Sequence, residues 1–124
     1  MKKNILLLSY VFPPYPGIGG RRWAKFSKYL SKRNYTIHVI CSENPFKNKS
    51  NWTKDIESNT NIIVYPLPSQ YPSILLKQPA TIFQKISYRF QDMRIKFLSK
   101  GNAYERALLW KDILFKKGSE IIHA

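Results

Sequence analysis

The residues best placed to do chemistry gather in YVFPPYPGIGGRRW, residues 10–23. Gly17, Gly19 and Gly20 lead into Arg21 and Arg22. Glycine before a helix start presents backbone N–H groups to an anion, and the helix dipole favours negative charge there. A chain that only turns from strand to helix uses the same glycines without a ligand. This stretch alone leaves a phosphate site and a plain corner both open. A dinucleotide fingerprint fits poorly, because Arg22 stands where G-x-G-x-x-G needs its third glycine. Glu43 in Cys41-Ser42-Glu43 is the nearest acidic residue to the end of the second strand, and a Walker A loop fails for want of G-K-[ST].

Other reactive side chains are sparse. Cys41 is the single cysteine, which excludes an internal disulfide framework and a cysteine-rich zinc site. It ends an apolar run and reads as a reduced core residue. His38 sits between Ile37 and Val39 inside a strand pattern and reads as structural. His123 is the more suggestive histidine, expected to end a fourth strand near the edge that carries the glycines. With no second ligand at metal spacing, no metal site is expected. No Ser-His-Asp or Cys-His arrangement can be assembled, and Asp92 and Asp112, each with basic neighbours, read as solvated ion pairs.

The elements that must position these residues follow from periodicity. Residues 4–10 form a short continuous apolar run before two prolines, the pattern of a buried parallel strand. Residues 20–32 read as a helix with Trp23, Phe26 and Leu30 on one face and Arg21, Arg22, Lys25, Lys28 and Lys32 elsewhere. Asn34 stops it, and YTIHVIC, residues 35–41, is a second strand. Residues 42–60 are a polar loop with room for a short helix over 52–58, and NIIVYPLP, residues 61–68, is a third strand. Residues 69–79 are irregular. A long helix over 80–99 carries Ile82, Ile86, Phe90, Met93 and Phe97 at helical spacing, and Gly101-Asn102 breaks it. A further helix over 103–117 ends at Gly118 as C-cap, and SEIIHA, residues 119–124, begins the fourth strand. The order predicts an α/β domain, Rossmann-like, with a mainly parallel sheet and flanking helices.

Composition sets the outer limits. At 124 residues, 44 % hydrophobic and 15 % aromatic, the chain suits one globular domain. Twenty-one basic against seven acidic residues give a formal charge of +14, an attraction to nucleic acid, a phospholipid surface or a phosphorylated substrate. The helix over 80–99 offers one such contact, with Phe83, Phe90 and Phe97 dipping into an anionic membrane interface. The plainer and preferred expectation is a helix packed on the sheet. No nucleic-acid-binding signature is present, so no specific nucleic-acid partner is expected. The start MKKNILLLSYVF is signal-like but meets Pro13 and Pro14 without a small-residue cleavage pattern. No apolar run approaches the ~18 residues of a membrane span, and the expected location is cytoplasmic.

Residues 5–41, ILLLSYVFPPYPGIGGRRWAKFSKYLSKRNYTIHVIC, resemble the opening of retaining GT-B glycosyltransferases of family four, the group 1 type. In that family a first strand enters a proline-rich Gly-Gly loop, and a helix ending in an L-x-K-R-G-H-like segment precedes a V-x-V-I/V strand. Here the segment is Leu30, Ser31, Lys32, Arg33, Asn34 and Tyr35, with Asn34-Tyr35 in place of Gly-His. Residues 103–124 add a weaker likeness to subgroups that make surface polysaccharides. The resemblance implies a nucleotide-sugar donor, a lipid-linked or polysaccharide acceptor, no metal or other cofactor, and work at the inner face of the plasma membrane. It maps the donor diphosphate onto Gly19 and Gly20; Arg21 and Arg22 beside them, and His123 from its expected place at the strand edge, are the candidates for further phosphate or acceptor contacts. The family's catalytic histidine follows a later strand, so no catalytic residue is assigned. It also implies that residues 1–124 are the N-terminal, acceptor-side domain, incomplete and without the donor-binding half. Such a piece is expected to be inactive alone and to self-associate through its uncovered surface. The rival expectation is a small basic module that binds anionic membrane or nucleic acid without catalysis.

Overall fold

The structure is a computed structural model that describes residues 1–100 and 106–124. They form two compact units, residues 1–68 with 112–124, and residues 69–111.

The first unit is α/β. Strands β1 (Lys3–Leu8), β2 (Tyr35–Ser42) and β3 (Ile62–Leu67) form a parallel sheet in the order β1-β2-β3. Ile5 pairs with Ile37 and Ile37 with Ile62, so the apolar runs lie in register. Helix α1 (Ile18–Ser31) connects β1 to β2, and the short α2 (Thr53–Glu57) precedes β3. Strand alternation divides β2 between two faces. Ile37, Val39 and Cys41 join Phe12, Ala24, Ile56 and Ile62 in the main core on the α1 side. On the other face, α4 (Lys111–His123) approaches Ile40: a Cβ on Gly118 would lie 3.8 Å from the Ile40 side chain.

Two packing outcomes differ from the sequence reading. In α1 the buried residues are Gly20, Ala24, Ser27 and Ser31, while Trp23 and Phe26 remain 40 % and 55 % exposed. A stripe of small side chains lets the helix backbone approach the sheet. The two aromatic rings instead pack on each other, with centroids 6.1 Å apart. Helix α1 ends as expected, and Asn34 takes φ 63°, the left-handed region that asparagine tolerates.

The expected fourth strand over 119–124 is a helix. Chain direction does not change at Gly118, which lies buried inside α4 rather than capping it. Leu114, Lys117 and Ile121 fall three and four apart, each half-buried, so the helical period runs through SEIIH. Glycine weakens a helix interior by about 1 kcal/mol, yet the helix continues through Gly118, where a Cβ would find an ordinary contact with Ile40. The start expected for this helix, at 103, lies outside the described residues, and residues 108–110 form a 3-10 turn.

The second unit holds a 3-10 turn over Ser73–Leu76 and the long helix α3 (Ile82–Leu98). Its start carries a capping box, in which Thr81 Oγ1 accepts from the Gln84 N–H at 3.2 Å and Gln84 Oε1 accepts from the Thr81 N–H at 3.4 Å. The apolar residues expected to pack are turned outward. Ile95 alone among the residues of α3 is buried.

Candidate functional site

Two loops at the carboxyl ends of the strands build an open concavity in the α/β unit. The first follows β1. Parallel pairing extends beyond the strands, with the Ser9 N–H on Ile40 O and the Ser42 N–H on Tyr10 O, each at 3.0 Å. Phe12 and Pro13 are fully buried, and Tyr15, 3 % exposed, meets Phe46 edge-on at 5.7 Å. These anchors fix where the chain enters α1.

The second loop, residues 43–52, is clamped onto the first through one carbonyl. Pro14 O accepts from Asn44 Nδ2 at 3.2 Å and from the Ser50 N–H at 3.0 Å. Asn44 also organises its own loop, donating to Asn48 O at 2.9 Å and accepting from the Phe46 N–H at 3.0 Å. Ser50 O then accepts from Thr53 Oγ1 at 2.7 Å, which starts α2.

Between the loops and the start of α1 lies an open cleft of about 510 Å³, lined by Pro16, Gly17, Ile18, Arg21, Lys49, Ser50, Asn51 and Trp52. No side chain caps α1, and its first turn has no acidic residue. The opening N–H groups of a helix have no intrahelical partner. Their dipole therefore faces the cleft unopposed, flanked by the charges of Arg21 and Lys49. The Arg21 guanidinium lies 5.1 Å from the Trp52 ring centroid and Lys25 Nζ lies 5.2 Å from it. That contact steadies the arginine at the rim. The arrangement suits an anion with several oxygens.

The glycines take different roles from one another. Helix α1 begins at Ile18, so Gly19 and Gly20 occupy its first turn and neither lines the cleft. Gly19 is exposed and a Cβ there would meet nothing within 4 Å. Gly20 is buried, and its Cβ would come within 3.3 Å of Val11 O and 3.4 Å of Phe12 Cα. Arg22 is exposed and outside the lining, whereas Arg21 is part of it. His123 closes α4, not a strand, so it does not stand on the sheet edge as expected, and it is not part of this lining. Sequence reading missed Lys49, Ser50, Asn51 and Trp52. The available clue was a tryptophan in an otherwise polar loop.

A second polar cluster occupies the opposite face of the sheet. His38 Nδ1 and Tyr65 Oη lie 3.2 Å apart with their rings stacked, Lys117 Nζ is 5.2 Å from the Tyr65 ring, and Lys117 pairs with Glu120 at 3.4 Å. These groups satisfy one another, in keeping with a structural His38. Cys41 is fully buried, and burial pushes its thiol up to about 12, so it stays protonated and unreactive at neutral pH. Asp92 pairs with Lys96 at 2.7 Å, a partly exposed bridge of small energetic weight. Among the described residues, no three His, Cys, Asp or Glu side chains gather in a metal-binding group. Compared with protein-family models, curated proteins and solved structures, the chain matches none.

Proposed function

We propose that this chain is the acceptor-side, N-terminal Rossmann-like half of a retaining GT-B glycosyltransferase of family four. Its parent would transfer a sugar from a nucleotide-sugar donor to a lipid-linked or polysaccharide acceptor during cell-envelope polysaccharide assembly. The observation that carries this reading is the uncapped first turn of α1, open to a cleft between Arg21 and Lys49. Ligands of open parallel sheets sit beyond the carboxyl ends of the strands, where this cleft lies. Asn34 at φ 63° adds support, because it occupies the position of the family's glycine. The first-turn N–H groups and Arg21 would stabilise the charge that develops on the departing diphosphate. Gly20 would serve that turn by packing rather than by touching the ligand, and no metal is called for in this role.

The test is an amide-resolved NMR titration of the whole chain with uridine diphosphate. Saturable shifts are expected at Ile18 to Arg21, with binding weakened about tenfold or more in Arg21→Glu/Lys49→Glu, the scale of lost charge-assisted contacts. Amides at Ile18 to Arg21 that stay still while the nucleotide is raised to millimolar concentration would overturn the assignment.

A further inference from the structure

The apolar stripe of α3 is uncovered. At about 100° of turn per residue, Ile82, Phe83, Ile86, Phe90, Met93 and Phe97 share one arc of roughly 100°. All six are exposed, Phe83 by 85 %, Phe90 by 67 % and Phe97 by 86 %. The opposite side of the helix is the held one: Ile95 is 1 % exposed, and Tyr88, Gln91 and Asp92 are half-buried. A contiguous apolar surface of this kind marks a contact site.

Charge identifies what it contacts. Lys85, Arg89 and Lys96 run along one border of the stripe, and Arg94 stands on the other. The one acidic residue of the helix, Asp92, is held by Lys96. Phenyl rings between cationic borders form the pattern of a helix lying in a lipid headgroup boundary. Among the described residues no helix is long and apolar enough to cross a membrane, so α3 would lie along the surface. A second copy of the chain would bring like charges together, on a molecule with a formal +14. An anionic surface satisfies both borders at once.

We infer that α3 docks this protein on an anionic phospholipid bilayer, with Phe83, Phe90 and Phe97 in the acyl boundary and the flanking cations among the headgroups. The experiment is flotation of the whole chain with phosphatidylcholine vesicles, with and without phosphatidylglycerol, across a salt series. The protein is expected to partition onto the anionic vesicles, and Phe83→Ser/Phe90→Ser/Phe97→Ser to lose about tenfold or more of that partitioning. A Phe90→Trp variant separates insertion from mere attraction: its added fluorescence should be quenched by brominated phosphatidylcholine in mixed anionic vesicles. Unchanged partitioning of the triple variant, or no quenching of Phe90→Trp, would overturn the inference. So would a dimer in sedimentation equilibrium that the triple variant abolishes while wild type ignores vesicles, because a second copy would then be the cover.

Discussion

Gly19 and Gly20 are adjacent, both lie in the first turn of α1, and both were assigned to the same diphosphate. Replacing each by alanine separates packing from ligand contact. Either substitution restricts the unfolded chain and raises helix propensity, for a stabilisation of about 0.4–1 kcal/mol. This contribution cancels when the two variants are compared. What remains is the new methyl group. At Gly19 it meets nothing within 4 Å, so the full gain should appear. At Gly20 it comes within 3.3 Å of Val11 O and 3.4 Å of Phe12 Cα and of Pro13 Cδ. Those atoms cannot yield cheaply, since Val11 O already accepts from Ser9 Oγ at 2.8 Å and Phe12 is 0 % exposed. Overpacking of this kind costs about 1–3 kcal/mol. Gly20→Ala should therefore lie below Gly19→Ala by about that amount, a separation of roughly 1 M in urea midpoint at the slopes usual for small domains. Tryptophan fluorescence reports the transition. Equal midpoints would refute the packing role assigned to Gly20. The comparison also explains why the diphosphate site is better probed through Arg21 and Lys49, because a change at Gly20 would confuse folding with binding.

Two further outcomes are expected. The Cys41 thiol ionises near its ordinary value of 9.0 when unfolded and at about 12 when folded. Above pH 9 the unfolded chain therefore binds fewer protons, and stability should fall by up to about 1.4 kcal/mol per pH unit, a slope absent from Cys41→Ala. Iodoacetamide at pH 8.5 should accordingly modify the urea-unfolded chain and spare the folded one; rapid labelling of native protein would contradict the burial of Cys41. Gly118→Ala should raise the urea midpoint, because a Cβ there meets Ile40 at an ordinary contact distance of 3.8 Å and helix propensity improves by about 1 kcal/mol. A lowered midpoint would instead mark Gly118 as the helix end that its neighbours suggest.

Much of the α/β unit was legible because its cues are local. Continuous apolar runs, bounded by Pro13, by Pro68 or by the asparagine turn at Asn34, locate β1, β2 and β3 to within about two residues. The cleft was half legible. Gly17 and Arg21 belong to a recognisable loop-to-helix start, but Lys49 to Trp52 reach it through long-range contacts, among them two hydrogen bonds on Pro14 O and the Arg21–Trp52 stack. No periodicity encodes a bond between loops some 30 residues apart.

The amino-acid sequence by itself determined the order of elements from β1 to α3, the parallel α/β class and the start of α1 at the glycine loop. Each of these rests on neighbours in the chain, where backbone sterics and hydrophobic runs act directly. Which face of each helix is buried was left to the tertiary structure. The aromatic stripe of α1 yields to Gly20, Ala24, Ser27 and Ser31, because only small side chains admit a close helix-to-sheet approach. The stripe of α3 is exposed although its period is that of a packed helix. Helix α4 runs on to His123 through Gly118, which lies buried 78 positions from Ile40 in the chain yet faces that side chain on the sheet. Amphipathic spacing states that a helix has an apolar side; only the assembled surfaces determine what that side meets.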